Sequence, residues 1–215
     1  MRVVGFYTPG LYEREARRLE ASLKGHGLDY QLVRKADLPK SWQERTTYKV
    51  TFCKQMLHEL GAPLLYLDVD AFCHENPATH PEIIKGTGGF AAHVRADVEL
   101  ISATLLFRDA TESRLVLEEW DRVCRREPNR WDQKNLQEAV HHLTRGSRIK
   151  FQPLDAGLCW IEGVSSQTYT RDRIWIEQLQ ASRERFHGSP LYLLRQQRIK
   201  LIEDGRKEDA LTWNL

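Results

Sequence analysis

The segment Pro63-Leu64-Leu65-Tyr66-Leu67 is apolar at every position and runs straight into Asp68-Val69-Asp70. A run this short and continuous lacks the alternation of a half-exposed strand and the spacing of an amphipathic helix. It suits a strand buried on both faces, which needs helices above and below a sheet. The flanking sequence supplies them. Arg2 to Tyr7 is a second β-rich run, broken by Thr8-Pro9-Gly10. Leu11 to Lys24 carries Ala16, Leu19 and Leu23 on one helical face and stops at Gly25 and Gly27. Tyr30 to Val33 is a third strand candidate. Tyr48, Phe52, Met56 and Leu60 recur every four residues and predict a helix over Thr46 to Leu60, ended by Gly61. The order β-α-β-α-β is the rhythm of a parallel sheet with crossover helices, and the expected class is α/β.

The rest of the chain reads less regularly. Gly88 to Val94 and Leu100 to Phe107 predict strands. Thr111 to Arg126 predicts a helix with Val116, Trp120, Val123 and Cys124 inward, and Trp131 to Leu143 another with Asp132 in its first turn. Ile149 to Leu154 and Leu158 to Ile161 read as short strands, and Arg171 to Arg185 as a helix. Leu191 to Asp209 has no readable pattern. With 215 residues, no internal repeat and no linker, one domain is expected, with halves 1–77 and 78–215.

Composition excludes several classes. Apolar residues make up 41% and charged residues 29%, and 32 Lys+Arg against 30 Asp+Glu leave a net charge of +2. That balance excludes charge-driven disorder and a dedicated nucleic-acid scaffold. No apolar stretch approaches the roughly 20 residues of a membrane span, and no secretory signal is visible. Cys53, Cys73, Cys124 and Cys159 form no CxxC pair and sit in apolar contexts. They are expected to be reduced core residues in a cytoplasmic setting.

Chemistry concentrates after the apolar strand. In extended backbone Asp68 and Asp70 point to the same side, beyond the strand's carboxyl end, where open α/β sheets bind ligands. Two hard oxygen donors suit Mg²⁺ or Mn²⁺. Arg45 and Lys49 lie four apart on one helical face.

The stretch from Trp42 to Lys49, the helix that follows, and Leu64 through Pro77 together resemble the nucleotide-diphospho-sugar transferases of the GT-A fold. Further matches follow in order. Ser102 to Phe107 resembles the family's Ser-Gly-x-apolar strand, Leu117 to Trp120 its following helix, and Trp131-Asp132-Gln133 its acceptor-side "DQ" segment. Ile176 to Arg183 resembles its C-terminal His-x-Gln-x-Ser-Arg stretch. The resemblance implies a single GT-A-type domain, with a Rossmann-like, mixed, mostly parallel sheet flanked by helices. It also implies transfer of a sugar from a nucleotide-diphosphate sugar, most simply a UDP-sugar, to a saccharide or other hydroxyl acceptor. Asp68 and Asp70 would hold Mn²⁺ or Mg²⁺ against the diphosphate. Tyr7, Thr8, Pro9, Arg45, Lys49, Asp68, Val69 and Ser102 would bind the nucleotide sugar. Asp132 and Gln133 would be catalytic, Asp132 as general base if the enzyme inverts; stereochemistry stays open. Two positions depart from the family. Ala103 replaces a Gly, and Gln178 stands where a metal-binding His is expected, leaving Gln178 or His187 as the third ligand.

Other readings compete. A haloacid-dehalogenase-type phosphatase also places D-x-D after an apolar strand, but Phe72 and the reversed Asp204-Gly205 fit it poorly. Basic clusters at Arg14 to Arg18, Arg122 to Arg130 and Arg145 to Lys150 raise two more: a non-enzymatic nucleic-acid binder, and a phage-type glycosyltransferase acting on modified DNA. Asp155, His93, Arg95 and the pair His141-His142 are weaker site candidates.

Overall fold

The computed structural model describes residues 1–38, 42–170 and 173–205, and for 42–46 the backbone alone. Its strands, in chain order, are β1 (Arg2–Tyr7), β2 (Tyr30–Arg34), β3 (Leu64–Leu67), β4 (Ala71–Cys73), β5 (Phe90–Arg95), β6 (Glu99–Phe107), β7 (Phe151–Leu154) and β8 (Ile176–Gln178). Its helices are α1 (Leu11–Gly25), α2 (Trp42–Leu60), α3 (Pro81–Lys85), α4 (Ala110–Arg126), α5 (Asp132–Arg145) and α6 (Pro190–Glu203).

Six strands form one sheet in the order β2-β1-β3-β6-β5-β7, and β4 pairs with β8 in a second, two-stranded sheet. In the large sheet β1 lies parallel to β2 and β3, and β5 parallel to β7, while β6 runs antiparallel to β3 and β5. The sheet is therefore mixed and mostly parallel, flanked by helices, as expected. All four residues of β3 are buried. Leu64 and Tyr66 face a cluster holding Phe52, Met56, Trp120 and Leu136, whereas Leu65 and Leu67 face one holding Val3, Leu19, Leu23 and Trp175. Alternation along an apolar strand thus fills two cores at once. Each such side chain contributes roughly 1.5–3 kcal/mol by leaving water. Gly5 of β1 has no room for a Cβ, which would meet the Leu67 carbonyl oxygen at 2.8 Å; this close approach seats the end of β3 against β1.

Helix α4 is capped by Asp109, whose carboxylate accepts from the Thr111 and Glu112 N–H groups. Its fully buried Trp120 donates from Nε1 to the Asp132 carbonyl at 3.0 Å, pinning the start of α5.

Three expectations need correction. Leu158 to Ile161 is no strand: a helical turn spans Ala156–Leu158, and Trp160 makes one isolated bridge to Glu177. Arg171 to Arg185 is not one helix among its described residues: β8 occupies its middle, and only a short 3₁₀ helix at Ala181–Arg185 follows. Every residue from Ile174 to Leu179 is buried, and β4, created just after Asp70, offers them an edge to pair with. The unreadable stretch contains α6, started by Pro190 with Ser189 Oγ accepting from the Tyr192 N–H. Its inward positions include Arg195 and Arg198, both buried. Arg195 reaches Glu15 at 2.6 Å, and Arg198 pairs with Glu177 through two contacts of 2.7 Å. Charged residues on the inner face hid the amphipathic pattern.

Candidate active site

Because β1 and β3 are parallel, Tyr7 and Asp68 leave the sheet at the same edge. A cleft of about 450 Å³ opens there. The end of β1 contributes Tyr7 and Thr8, and the end of β3 contributes Asp68, Val69 and Asp70. Ser102 and Ala103 come from β6, Asp132 and Gln133 from α5, and Gln180, Ser182 and Arg185 from the segment after β8.

Lys49 organises this cleft. It is buried on α2, with Nζ 2.9 Å from Asp68 Oδ1 and 3.3 Å from Asp132 Oδ2. It also donates to the carbonyl and hydroxyl oxygens of Ser102, each at 3.2 Å, and sits 5.4 Å from the Tyr66 ring centroid. Burial alone would favour the neutral amine, but Asp68 and Asp132 outweigh it and hold the ammonium above its ordinary range. The Tyr66 hydroxyl, pushed well up by burial and then by Asp68, stays protonated and donates to Asp68 Oδ1 at 2.7 Å.

From Lys49 the polar chain continues. The Ser102 hydroxyl lies 3.3 Å from Asp132 Oδ2, and the Ser102 N–H donates to Gln133 Oε1 at 3.3 Å. Gln133 Nε2 donates to Glu99 Oε1 at 2.8 Å, and Glu99 pairs with Arg95. One network therefore joins the D-x-D to the residues of α5, β5 and β6. Asp132 spends its carboxylate on Lys49 and Ser102.

Asp70 stands slightly apart. Burial, and then the neighbouring Asp68 charge, push its carboxyl up to about 6, against the opposing hydrogen bond from the Ala181 N–H to Oδ2 at 2.7 Å. Its carbonyl accepts from the Leu179 N–H at 2.8 Å, so the residues after β8 are laced to the D-x-D. Gln180, between them, holds a left-handed backbone with φ of 55°, a strained conformation that clusters at functional sites.

Of the expected site residues, Tyr7, Thr8, Lys49, Asp68, Val69, Asp70, Ser102, Asp132 and Gln133 all line the cleft. Pro9 is exposed beside it, and the Arg45 side chain lies outside the described residues. Neither candidate for a third metal ligand reaches the cleft lining. Gln178 is buried behind it, its Nε2 donating to the Ala103 carbonyl at 3.3 Å and to Thr104 Oγ1 at 3.0 Å, while its Oε1 has no hydrogen-bond partner among the described residues. His187 is exposed and packs edge-on against Tyr192. Among the described residues no three His, Cys, Asp or Glu side chains converge as a metal cage. Asp155 holds its own turn by accepting from the Gly157 N–H. His93 is buried against the Leu154 carbonyl, and His141 and His142 are exposed. Arg95 does line the cleft. The sequence reading missed Tyr12, Tyr66, Glu99, Trp131, Gln180 and Arg185, all in the lining; the position of Trp131 beside Asp132 was the available signal.

The basic cluster on α4 is largely neutralised. Arg122 pairs with Glu119, Arg125 with Asp121, and Arg126 and Arg130 with Glu138. That cluster therefore offers a phosphate backbone little uncompensated positive charge. The four cysteines are buried and free, and no helix among the described residues is long and apolar enough to cross a membrane.

The architecture is that of GT-A glycosyltransferases. A glycosyltransferase involved in the glycosylation of the major capsid of PBCV-1 superposes with a TM-score of 0.61 at 13% identity, over 91% of this chain and 97% of that one. The apo form of the glycosyltransferase GlyE of Streptococcus pneumoniae TIGR4 gives 0.56 at 16% identity, over 82% of this chain and 53% of that one. Mouse xyloside xylosyltransferase 1 gives 0.53 at 10% identity, over 82% and 96%. At these identities the likeness establishes the fold. The sequence itself matches the model of the nucleotide-diphospho-sugar transferases over residues 19–184, and the chain belongs to that family. No curated protein matches it. Membership makes the chain a glycosyltransferase and sets aside the phosphatase and the non-enzymatic binder.

Proposed function

We propose that the protein transfers a sugar from a UDP-sugar to a hydroxyl of a saccharide, with Mn²⁺ or Mg²⁺ held by Asp68 and Asp70. The observation that carries this reading is the single network that joins the D-x-D to Asp132 and Gln133 through Lys49. The donor set fits the ion. Asp68 and Asp70 both line the cleft; burial first, and then the Asp68 charge, raises the Asp70 carboxyl, and a divalent cation between the two offsets both effects. Such ions are commonly held by one or two carboxylates and completed by substrate phosphates, so neither Gln178 nor His187 is required. When bound, the ion offsets the negative charge that gathers on the departing diphosphate.

The chain's own residues do the rest. Tyr7 and Thr8 receive the nucleoside at the end of β1. Lys49 holds Asp68 and Asp132 at a set separation, so the donor and acceptor sides of the cleft keep their register. Asp132 and Gln133 face the sugar being transferred, and Ser102 orients both. Arg185, exposed at the cleft rim, supplies a cation toward the diphosphate. The four free, buried thiols support a cytoplasmic setting.

The test is a screen of nucleotide sugars with Mn²⁺ or Mg²⁺, reading released nucleotide. Turnover that needs a divalent ion and is lost in Asp70→Asn is the expected result. Metal-independent turnover, or an Asp70→Asn variant as active as the parent, would refute the assignment.

A further inference from the structure

Strand β6 divides the cleft into two unlike sides. The Ser102 hydroxyl turns toward Lys49 and Asp132, so Ile101 and Ala103, its neighbours along the strand, turn the other way. There they join Cys159 and Ile161 in a small apolar cluster, with Val164 packed against it. Ile101, Ala103, Ile161 and Val164 all line the cleft. The carbonyls of this wall are already spent. That of Ile161 accepts from the Val164 and Ser165 N–H groups at 3.0 and 2.7 Å, while the Ile161 N–H donates to Ser165 Oγ at 2.9 Å. The Ala103 carbonyl accepts from the Asp68 N–H at 2.9 Å and from Gln178 Nε2 at 3.3 Å. Two bonds fill a carbonyl's two lone pairs. The wall is also fixed in place. The Trp160 N–H donates to the Ile176 carbonyl at 2.9 Å, and the Trp160 carbonyl accepts from the Gln178 N–H at 2.7 Å.

The bond from Asp68 to Ala103 starts this wall directly beside the D-x-D. In a nucleotide sugar the transferred sugar is joined to the diphosphate itself, so the group that reaches the wall first is that sugar. Resting on the glycosyltransferase reading above, we propose that Ile101, Ala103, Ile161 and Val164 select the transferred sugar, and that it is a pyranose without a hydroxymethyl group, a pentose or a 6-deoxyhexose. Common pyranoses carry hydroxyls at C2, C3 and C4, so the edge that can be wholly apolar is the one at C5. A hydrogen or methyl there sets carbon against carbon along the wall. The ring hydroxyls meet Ser102, Asp132 and Gln133 on the polar side. A primary hydroxyl turned to the wall leaves water for methyl groups and filled carbonyls, and a desolvated hydroxyl without a partner is costly.

Isothermal titration of the full chain with UDP-sugars in Mn²⁺ tests this without turnover. UDP-xylose and UDP-glucose differ only in the hydroxymethyl group, as do UDP-L-arabinopyranose and UDP-galactose. In each pair the hexose binds roughly tenfold more weakly, about 1.4 kcal/mol, the scale on which an apolar pocket turns away a group that differs by little more than a hydroxyl. Ala103→Ser and Ile101→Thr each put a hydroxyl on the wall and bring the two affinities within about threefold of one another. Ile101→Val stays apolar and keeps the preference. Both members of a pair carry the same UDP, so a general loss of affinity from disturbed packing cancels in the ratio. Equal affinities in the wild type, a preference for the hexoses, tightest binding of UDP-N-acetylglucosamine, or a ratio indifferent to both hydroxyl variants overturns the proposal while UDP binding keeps the functional reading. A chain that binds neither UDP nor any of these sugars overturns both.

Discussion

Replacing Lys49 by Met keeps most of the side-chain volume and removes the charge. In the native cleft that charge lies 2.9 Å from Asp68 and 3.3 Å from Asp132. Removing one partner of a buried ion pair costs roughly 3–5 kcal/mol, because the other charge stays buried and unpaired. Asp132 is 6% exposed and bears that cost in full. The Asp68 side chain is 31% exposed and keeps the Tyr66 hydroxyl, so water screens most of its share. The sum is about 3 kcal/mol. In a chain of this length each kcal/mol moves Tm by about 2–4 °C, so Lys49→Met melts about 6–12 °C lower. In the double variant Lys49→Met/Asp132→Asn the buried charge is gone with its partner, and about 2 kcal/mol of the loss returns as coupling energy. Urea unfolding of the four proteins closes the cycle. A Lys49→Met chain within about 1 kcal/mol of wild type, or purely additive single effects, would refute a buried electrostatic tie between the two halves of the site.

Asp70→Asn is expected to lower metal-dependent nucleotide release by roughly a hundredfold or more, the several kcal/mol of charge stabilisation that the ion supplies, with an unchanged urea midpoint. Burial raises the Glu177 carboxyl, but His74 and Arg198 outweigh it and leave it at about 2 against an ordinary 4.5. The stabilisation, about 3 kcal/mol by linkage, is fully present above pH ~4.5 and lost as pH falls toward 2. Glu177→Gln should flatten that acid limb of a stability-against-pH curve; an unchanged slope would sink the argument. Burial pushes the Cys124 thiol up to about 11 and those of Cys73 and Cys159 up to about 12, with Cys53 raised as well. An aromatic disulfide reagent at pH 8 should therefore label none of these four in the native chain and all of them in urea; fast native labelling would contradict the packing.

The β-α-β-α-β half was legible because its physics is local. Leu64 to Leu67 is apolar throughout, and only burial on both faces explains such a run. The helix that carries Lys49 shows its period without help. The end of that strand places Asp68 and Asp70 beyond the sheet edge wherever the rest of the chain goes. Pattern failed where long-range pairing or buried charge decides structure. Ile176 to Gln178 became a strand only because β4 offered an edge about a hundred residues away in sequence, a pairing that no local period encodes. The helix bearing Arg195 and Arg198 was unreadable because its inward face is charged, and those charges are tolerable only beside Glu15 and Glu177. The sequence by itself determined the class, the sheet edge at which the cleft opens and the carboxylate pair there. Tertiary structure alone decided that Lys49 joins Asp68 to Asp132, that Gln178 and His187 stay out of the cleft, and that Trp131 faces into it. These are contacts between residues far apart in the chain, made only when the sheet brings its two halves together.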